Sequence, residues 1–83
     1  MPNLYTIHDD SLDCDIACFI SDNDGSASAV LANFALARPA GARQFTLFSI
    51  SEIQIIDGRY VSFDFANPLY IRTFSEPSEV NNG

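Results

Sequence analysis

The chain lacks lysine entirely, and four arginines are set against eleven acidic residues in its 83 positions. The formal net charge is −7. Binding to DNA or RNA requires a basic face that neutralises phosphates, and an anionic membrane surface attracts the same kind of face. The sequence therefore predicts neither direct nucleic-acid binding nor membrane binding. The charge favours a basic protein partner or simply keeps the chain in solution.

Motifs that carry chemistry are also missing. There is no G-x-S-x-G sequence and no glycine-rich phosphate loop. His8 is the only histidine, and Asp9, Asp10 or Asp13 could orient it toward a serine, but nothing in the sequence supports that pairing. Asp13 and Asp15 could act as acid and base only if burial raised one pKa. We expect no enzyme activity and no cofactor.

A long apolar stretch and a basic N-terminal region are likewise absent. This predicts neither a signal peptide nor a transmembrane span, and we expect a cytoplasmic protein. Cys14 and Cys18 lie four residues apart in a predicted strand, which separates their Cα atoms by about 13 Å. A disulfide needs less than about 7 Å. The two cysteines are therefore expected to be buried free thiols, as a reducing cytosol allows.

Two patterns could suggest a metal site, and neither is complete. Residues 22–25, Asp-Asn-Asp-Gly, resemble part of an EF-hand loop, but Ile20 and Leu31 then occupy the two positions that need carboxylates. A capped helix entrance explains this segment. The second pattern is a C-x₃-C pair with one histidine, formed by Cys14, Cys18 and His8. The two cysteines are spaced too widely on a strand to chelate one zinc ion. We predict no metal site.

What the sequence does contain is a dense block of strand-forming residues, 44–65, with the turn signal Asp57-Gly58 inside it. A two-residue loop would set the isoleucines against the polar set of the next strand. Slipping by one residue exchanges the two faces of a strand. We therefore predict a three-residue loop, 56–58, with Ile53 opposite Val61 and Gly58 in the left-handed position of a bulge.

The remaining pattern predicts strands at residues 4–7, 13–21, 44–50 and 69–74 and a helix at 26–37. The second strand is expected to bury its even positions, which are Cys14, Ile16, Cys18 and Ile20. The helix is expected to be capped by Asp24 or Ser26, to end at 38–41, and to bury a stripe at i, i+3, i+4, i+7 spacing, which is Ala27, Val30, Leu31 and Phe34. Asn67-Pro68 is predicted to be a turn.

These elements predict an α+β fold in the order β-β-α-β-β-β. Short connections favour an antiparallel sheet, here of about five strands, with one helix packed on one face. A single domain is expected to span residues 1–74. Residues 75–83 show no apolar periodicity and are predicted to form a flexible tail.

Six of the eleven acids fall within the first 24 residues, and no arginine precedes Arg38. The six are Asp9, Asp10, Asp13, Asp15, Asp22 and Asp24. Such a run could occupy a groove lined by arginine or lysine on a larger protein, although charge runs are often only solvated faces. The prediction is a small inhibitor that blocks a basic, nucleic-acid-binding site. Anti-CRISPR and anti-restriction proteins of mobile elements share this size and charge, which is an analogy of type.

The alternative hypothesis is a self-associating structural or accessory subunit without catalytic activity, forming a homodimer. Exposed aromatic side chains favour it, because Tyr and Phe are enriched at interface centres. The candidate residues are Tyr60 and Tyr70. Ordinary exposed apolar area is the simpler explanation for both.

Overall fold

The structure, a computed structural model, describes residues 2–38 and 44–75. The elements in chain order are β1 (Asn3–Asp9), β2 (Cys14–Ser21), α1 (Asp24–Leu36), β3 (Gln44–Ile56) and β4 (Arg59–Ser75). The strands form one antiparallel sheet in the order β2-β1-β3-β4. The predicted α+β class, with an antiparallel sheet and one helix, is thus confirmed for the described residues.

The prediction of five strands is wrong, because β4 continues through Asn67-Pro68. Ser51 pairs with Asp64 and Ser49 with Leu69, so residues 65–68 of β4 lie opposite the single residue Ile50 of β3. Proline cannot donate to the ladder and is tolerated at a bulge or on an edge strand. The Asn-Pro signal therefore marks a bulge on an edge strand, and both halves of β4 run antiparallel to β3.

Helix α1 begins two residues earlier than predicted, and its cap is Asn23. The Asn23 side-chain oxygen accepts a hydrogen bond from the backbone N–H of Ser26 at 2.8 Å, which satisfies one of the free donors of the first turn. Asp24 lies within that first turn, where the helix dipole favours an acid. The part of the chain that the structure describes has no helix with the length and apolar character that a membrane crossing needs.

The core lies between α1 and one face of the sheet. Its buried members are Tyr5, Ile7, Ala27, Leu31, Ala35, Phe45 and Leu47. The helix contributes positions i, i+4 and i+8, with Phe34 partly buried beside them. Val30 is 41% exposed, so the predicted stripe is wrong at that position. Ala27 and Ala35 lie one turn before and one turn after Leu31, and their small side chains allow the helix to approach the sheet along this line. The helix is oriented with this line toward the sheet, which leaves Val30 at the edge of the contact.

Strand β2 turns toward the core the opposite set of residues from the one predicted, and these residues are partly buried. Ala17 pairs with Ile7 and Phe19 pairs with Tyr5, so these odd positions lie under the helix. Ile16 also packs there, because it is the extra residue of a bulge opposite Ile7 and His8. The even positions beyond the bulge, Cys18 and Ile20, face the other way. The two cysteines, Cys14 and Cys18, are free but exposed, and the prediction that they are buried is wrong.

The hairpin loop is also shorter than predicted. Ile56 pairs with Arg59, so the loop is Asp57-Gly58 alone. Both residues have positive φ, 52° and 76°, as a type I′ turn requires. Strand β1 begins at Asn3, which pairs with Glu52, and residues 54–61 project beyond it as a two-stranded segment, here called the ribbon. The buried core does not extend over the ribbon. The register of the ribbon is therefore determined by the two-residue turn and not by burial.

Some predictions concern residues outside the described ranges. Of the predicted tail, 75–83, only Ser75 is described, and it is the last residue of β4. The segment expected to end the helix, 38–41, is described only at Arg38.

Candidate protein-binding surface

Four of the six predicted aspartates lie together around the turn between β1 and β2. We call this group the acidic end: Asp9, Asp10, Asp13 and Asp15. The turn is locked by Asp9, whose carboxylate accepts hydrogen bonds from the backbone N–H groups of Ser11 and Leu12 at 2.9 and 3.1 Å. Its carbonyl accepts from the Asp13 N–H at 2.7 Å. Aspartate favours such turns because its side chain can replace a backbone acceptor.

His8 is held between two of these carboxylates. Its Nε2 lies 3.0 Å from Asp13 Oδ1 and its Nδ1 lies 2.9 Å from Asp15 Oδ1. The hydrogen bond to Asp15 and, to a smaller extent, the one to Asp13 raise the pKa of His8 above its ordinary value. Both ring nitrogens can donate only in the protonated imidazole. The acidic end with His8 therefore carries a charge of −3 when His8 is protonated and −4 when it is neutral.

The two clamping carboxylates nevertheless remain open to a partner. The Asp13 side chain is 93% exposed and that of Asp15 is 57% exposed, whereas that of His8 is 23% exposed. The less exposed histidine thus fixes the positions of the two carboxylates without covering them. The only ion pairs found among the described residues that involve these aspartates are the two with His8.

A chain of hydroxyl groups extends from the acidic end across the sheet. Thr46 Oγ1 donates to the Asp10 carboxylate, at 2.8 Å to the nearer oxygen. Thr73 Oγ1 lies 3.3 Å from Thr46 Oγ1, and the Tyr70 hydroxyl donates to Thr73 at 3.1 Å. Because a hydroxyl has one proton to donate, the order of donation is Tyr70 to Thr73 to Thr46 to Asp10. These groups lie on the face of the sheet opposite the helix, here called the open face.

Aromatic rings reinforce the same connection. Phe48 lies edge-on to His8 with ring centroids 6.2 Å apart and edge-on to Tyr70 at 6.4 Å. Such edge-to-face arrangements are favourable beyond the area they bury. The acidic end is therefore continuous with an ordered part of the open face.

The other two predicted aspartates lie elsewhere. Asp22 and Asp24 are at the far end of β2, which spans eight residues and therefore about 23 Å. Asp24 accepts a hydrogen bond from the buried Tyr5 hydroxyl at 2.7 Å. Burial and, to a smaller extent, this hydrogen bond to Asp24 raise the pKa of Tyr5. Asp24 thus joins the helix to β1, and the structure does not bring all six aspartates into one surface.

The two tyrosines singled out for self-association are both exposed, Tyr60 at 72% and Tyr70 at 63%. Tyr60 pairs with Ile55 in the ribbon, whereas Tyr70 pairs with Phe48 beside the acidic end. These two partners are seven positions apart along β3, which is roughly 23 Å. They therefore belong to two separate regions.

Among residues 2–38 and 44–75, no group of three or more His, Cys, Asp or Glu side chains is placed to hold a metal ion. Both ring nitrogens of His8 already face carboxylates. A cavity of about 280 Å³ lies beside the ribbon, at the start of β1, and is lined by Pro2, Ile53, Gln54 and Ile55. No lining side chain is ionisable.

Sequence reasoning located the acidic end but missed the role of His8 and the Thr46 to Tyr70 connection. The spacing of His8, Asp13 and Asp15 was the available signal. A tight turn at 10–13 places β1 beside β2 and makes His8 and Asp15 cross-strand neighbours. Comparison of the chain with protein-family models, curated proteins and solved structures gives no match.

Proposed function

We propose that the chain is a small protein-binding module whose acidic end docks onto a basic surface of a larger protein. The partner surface would be a nucleic-acid-binding site, and the module would act as an inhibitor of the anti-CRISPR or anti-restriction kind. The observation that carries this proposal is the His8 clamp, which fixes Asp13 and Asp15 while leaving both carboxylates exposed. The proposed location is the cytoplasm, where the exposed cysteines would stay reduced.

Fixed charge supports this role better than mobile charge does. A side chain that is ordered before binding loses less conformational entropy when it meets its partner. Complementary potentials also accelerate the encounter and set the register of the complex. A groove that is lined by arginine or lysine and binds phosphates would meet, at the acidic end, a cluster of carboxylates around the turn between β1 and β2. Nucleic acid and module would then compete for the same groove.

The test removes two charges in two different places. Asp13→Asn with Asp15→Asn removes two of the four negative charges of the acidic end, and Glu52→Gln with Asp57→Asn removes one charge beside the ribbon and one at its turn. Both double variants change the net charge equally. Proteins retained from a cell extract by the immobilised wild-type chain are identified, and a retained nucleic-acid-binding protein is purified. Its binding to labelled nucleic acid is then measured in the presence of each variant.

We expect the wild-type chain and the ribbon variant to displace the nucleic acid equally well. The acidic-end variant should require at least about tenfold more protein, since a pair of charges at an interface contributes more than about 1.5 kcal/mol in measured cases. Equal displacement by all three chains, or displacement by none, would contradict the proposal.

A further inference from the structure

Tyr70 lies on the open face beside the acidic end, and its ring is held in place although it is exposed. The residue is 63% exposed, yet its hydroxyl donates to Thr73 Oγ1 at 3.1 Å. The Phe48 ring packs edge-on to it, with the two ring planes at 77°, and can cover at most one face of the Tyr70 ring. One face of an anchored aromatic ring is therefore open to a partner.

This ring lies within the electrostatic field of the acidic end. Three hydrogen bonds, of 2.8 to 3.3 Å each, connect the Tyr70 hydroxyl through Thr73 and Thr46 to the Asp10 carboxylate. A path of that length is close to one Debye length, which is about 8 Å at physiological salt. A positive charge placed over the Tyr70 ring is consequently attracted by the carboxylates as well as by the ring.

The arginines of β4 do not supply this positive charge. Arg72 pairs with Leu47 of the core and so points to the helix side of the sheet. Tyr70 pairs with Phe48 and points to the open face, and Arg59 lies beside the turn of the ribbon, at the other end of β4. The cation that suits the exposed ring therefore does not come from the strand that carries it.

We propose that Tyr70 extends the acidic end onto the open face and receives an arginine of the basic partner, with the guanidinium stacked on its ring. This inference rests on the function proposed above and specifies the cation. A guanidinium is planar and more weakly hydrated than an ammonium, so it stacks on aromatic faces, and tyrosine rings attract such cations. Neighbouring arginines pair with the carboxylates of the acidic end. The surface thus selects an arginine-rich segment over a lysine-rich one.

The experiment uses two labelled peptides as probes, hexa-arginine and hexa-lysine, which have the same length and charge. Their affinities for the full chain are measured by fluorescence anisotropy at low salt, and the ratio of the two affinities is insensitive to net charge. Tyr70→Thr removes the ring and keeps a residue that strands favour, whereas Tyr70→Phe keeps the ring without its hydroxyl. Tyr60→Thr is the matched control, since Tyr60 is 72% exposed but lies in the ribbon. Circular dichroism verifies that each variant is folded.

We expect the wild-type chain to prefer hexa-arginine, and Tyr70→Thr to lower that preference about two- to fivefold, as an exposed cation–π contact predicts. Tyr70→Phe and Tyr60→Thr should keep most of the preference. A wild-type chain without the preference overturns the inference, as does an unchanged preference in Tyr70→Thr or an equal loss in Tyr60→Thr.

Failure of the proposed function gives a different result in the same assay. The Asp13→Asn, Asp15→Asn variant should bind both peptides more weakly than the wild-type chain does, with the preference for hexa-arginine retained through Tyr70. If that variant binds both peptides as tightly as the wild-type chain, docking at the acidic end is refuted, and the inference about Tyr70 is refuted with it.

Discussion

Two serines of β3 are both buried but differ in hydrogen bonding. Ser49 is 1% exposed and Ser51 is 0% exposed. The hydroxyl of Ser49 accepts a hydrogen bond from the Asn3 side-chain amide at 3.1 Å. The hydroxyl of Ser51 has no hydrogen-bond partner among the described residues. Replacing each with alanine removes the same atom from the same strand, so the pair isolates the value of one hydrogen bond.

The structure predicts opposite signs for the two changes. A buried polar group without a partner costs about 1–3 kcal/mol, so Ser51→Ala should raise the free energy of unfolding by about 1 kcal/mol after allowance for the small void. Ser49→Ala leaves the Asn3 amide without its acceptor and should lower it by about 1 kcal/mol. A difference of about 2 kcal/mol is large for a domain of this size, whose total stability is expected to be about 4–12 kcal/mol.

Urea unfolding followed by circular dichroism measures both changes. Ser62→Ala, at an exposed position of β4, provides the effect of serine to alanine in a strand without burial. If Ser51→Ala destabilises the chain as much as Ser49→Ala does, the hydroxyl of Ser51 has a partner, and the reasoning from burial is refuted.

Three further predictions concern the turn, the core and the histidine. Gly58→Ala should destabilise the ribbon by about 1–2 kcal/mol, because φ is +76° and a Cβ disfavours that region; faster amide exchange at Tyr60 would show it, and unchanged exchange would contradict it. Leu31→Ala should lower the free energy of unfolding by about 2–5 kcal/mol, measured in urea; a loss below about 1 kcal/mol would place Leu31 outside the core. The folded-state pKa of His8 is raised, so its stabilising contribution should be full below about pH 6.5 and lost as pH rises through the folded-state pKa. Melting temperatures across that range should fall for the wild-type chain but less for His8→Gln, and parallel curves would contradict the clamp.

The fold class was accessible from the sequence because local signals agreed with it. The helix has a capping side chain and an apolar periodicity, and strands of alternating residues flank it. The face of β2 was not accessible. Ile16, Cys18 and Ile20 compete with Ala17 and Phe19 as apolar sets, and only the position of the helix and the bulge decide between them.

The hairpin illustrates a different limit. A three-residue loop is favoured only when both strands bury one face, whereas the ribbon extends past the start of β1 and buries neither face fully. The plain reading of Asp57-Gly58 as a two-residue turn was sufficient. Likewise, Asn67-Pro68 interrupts pairing without ending the strand, since β3 is long enough to pair with both halves of β4.

The candidate site was predictable where it is local in sequence. Asp9, Asp10, Asp13 and Asp15 lie within seven positions, and a turn must bring them together. The separation of Asp22 and Asp24 follows from the length of β2, which puts them at its opposite end. The connection through Thr46 and Thr73 joins residues 27 positions apart, and strand order alone determines it.

Our proposal is that fixed negative charge at the acidic end holds a basic partner. The most direct measurement is the dissociation constant of the purified partner with the wild-type chain and with the Asp13→Asn, Asp15→Asn variant, as a function of salt concentration. We expect the wild-type affinity to fall steeply with salt, and the variant to bind more weakly with a shallower dependence. Equal affinities with equal salt dependence would contradict the claim.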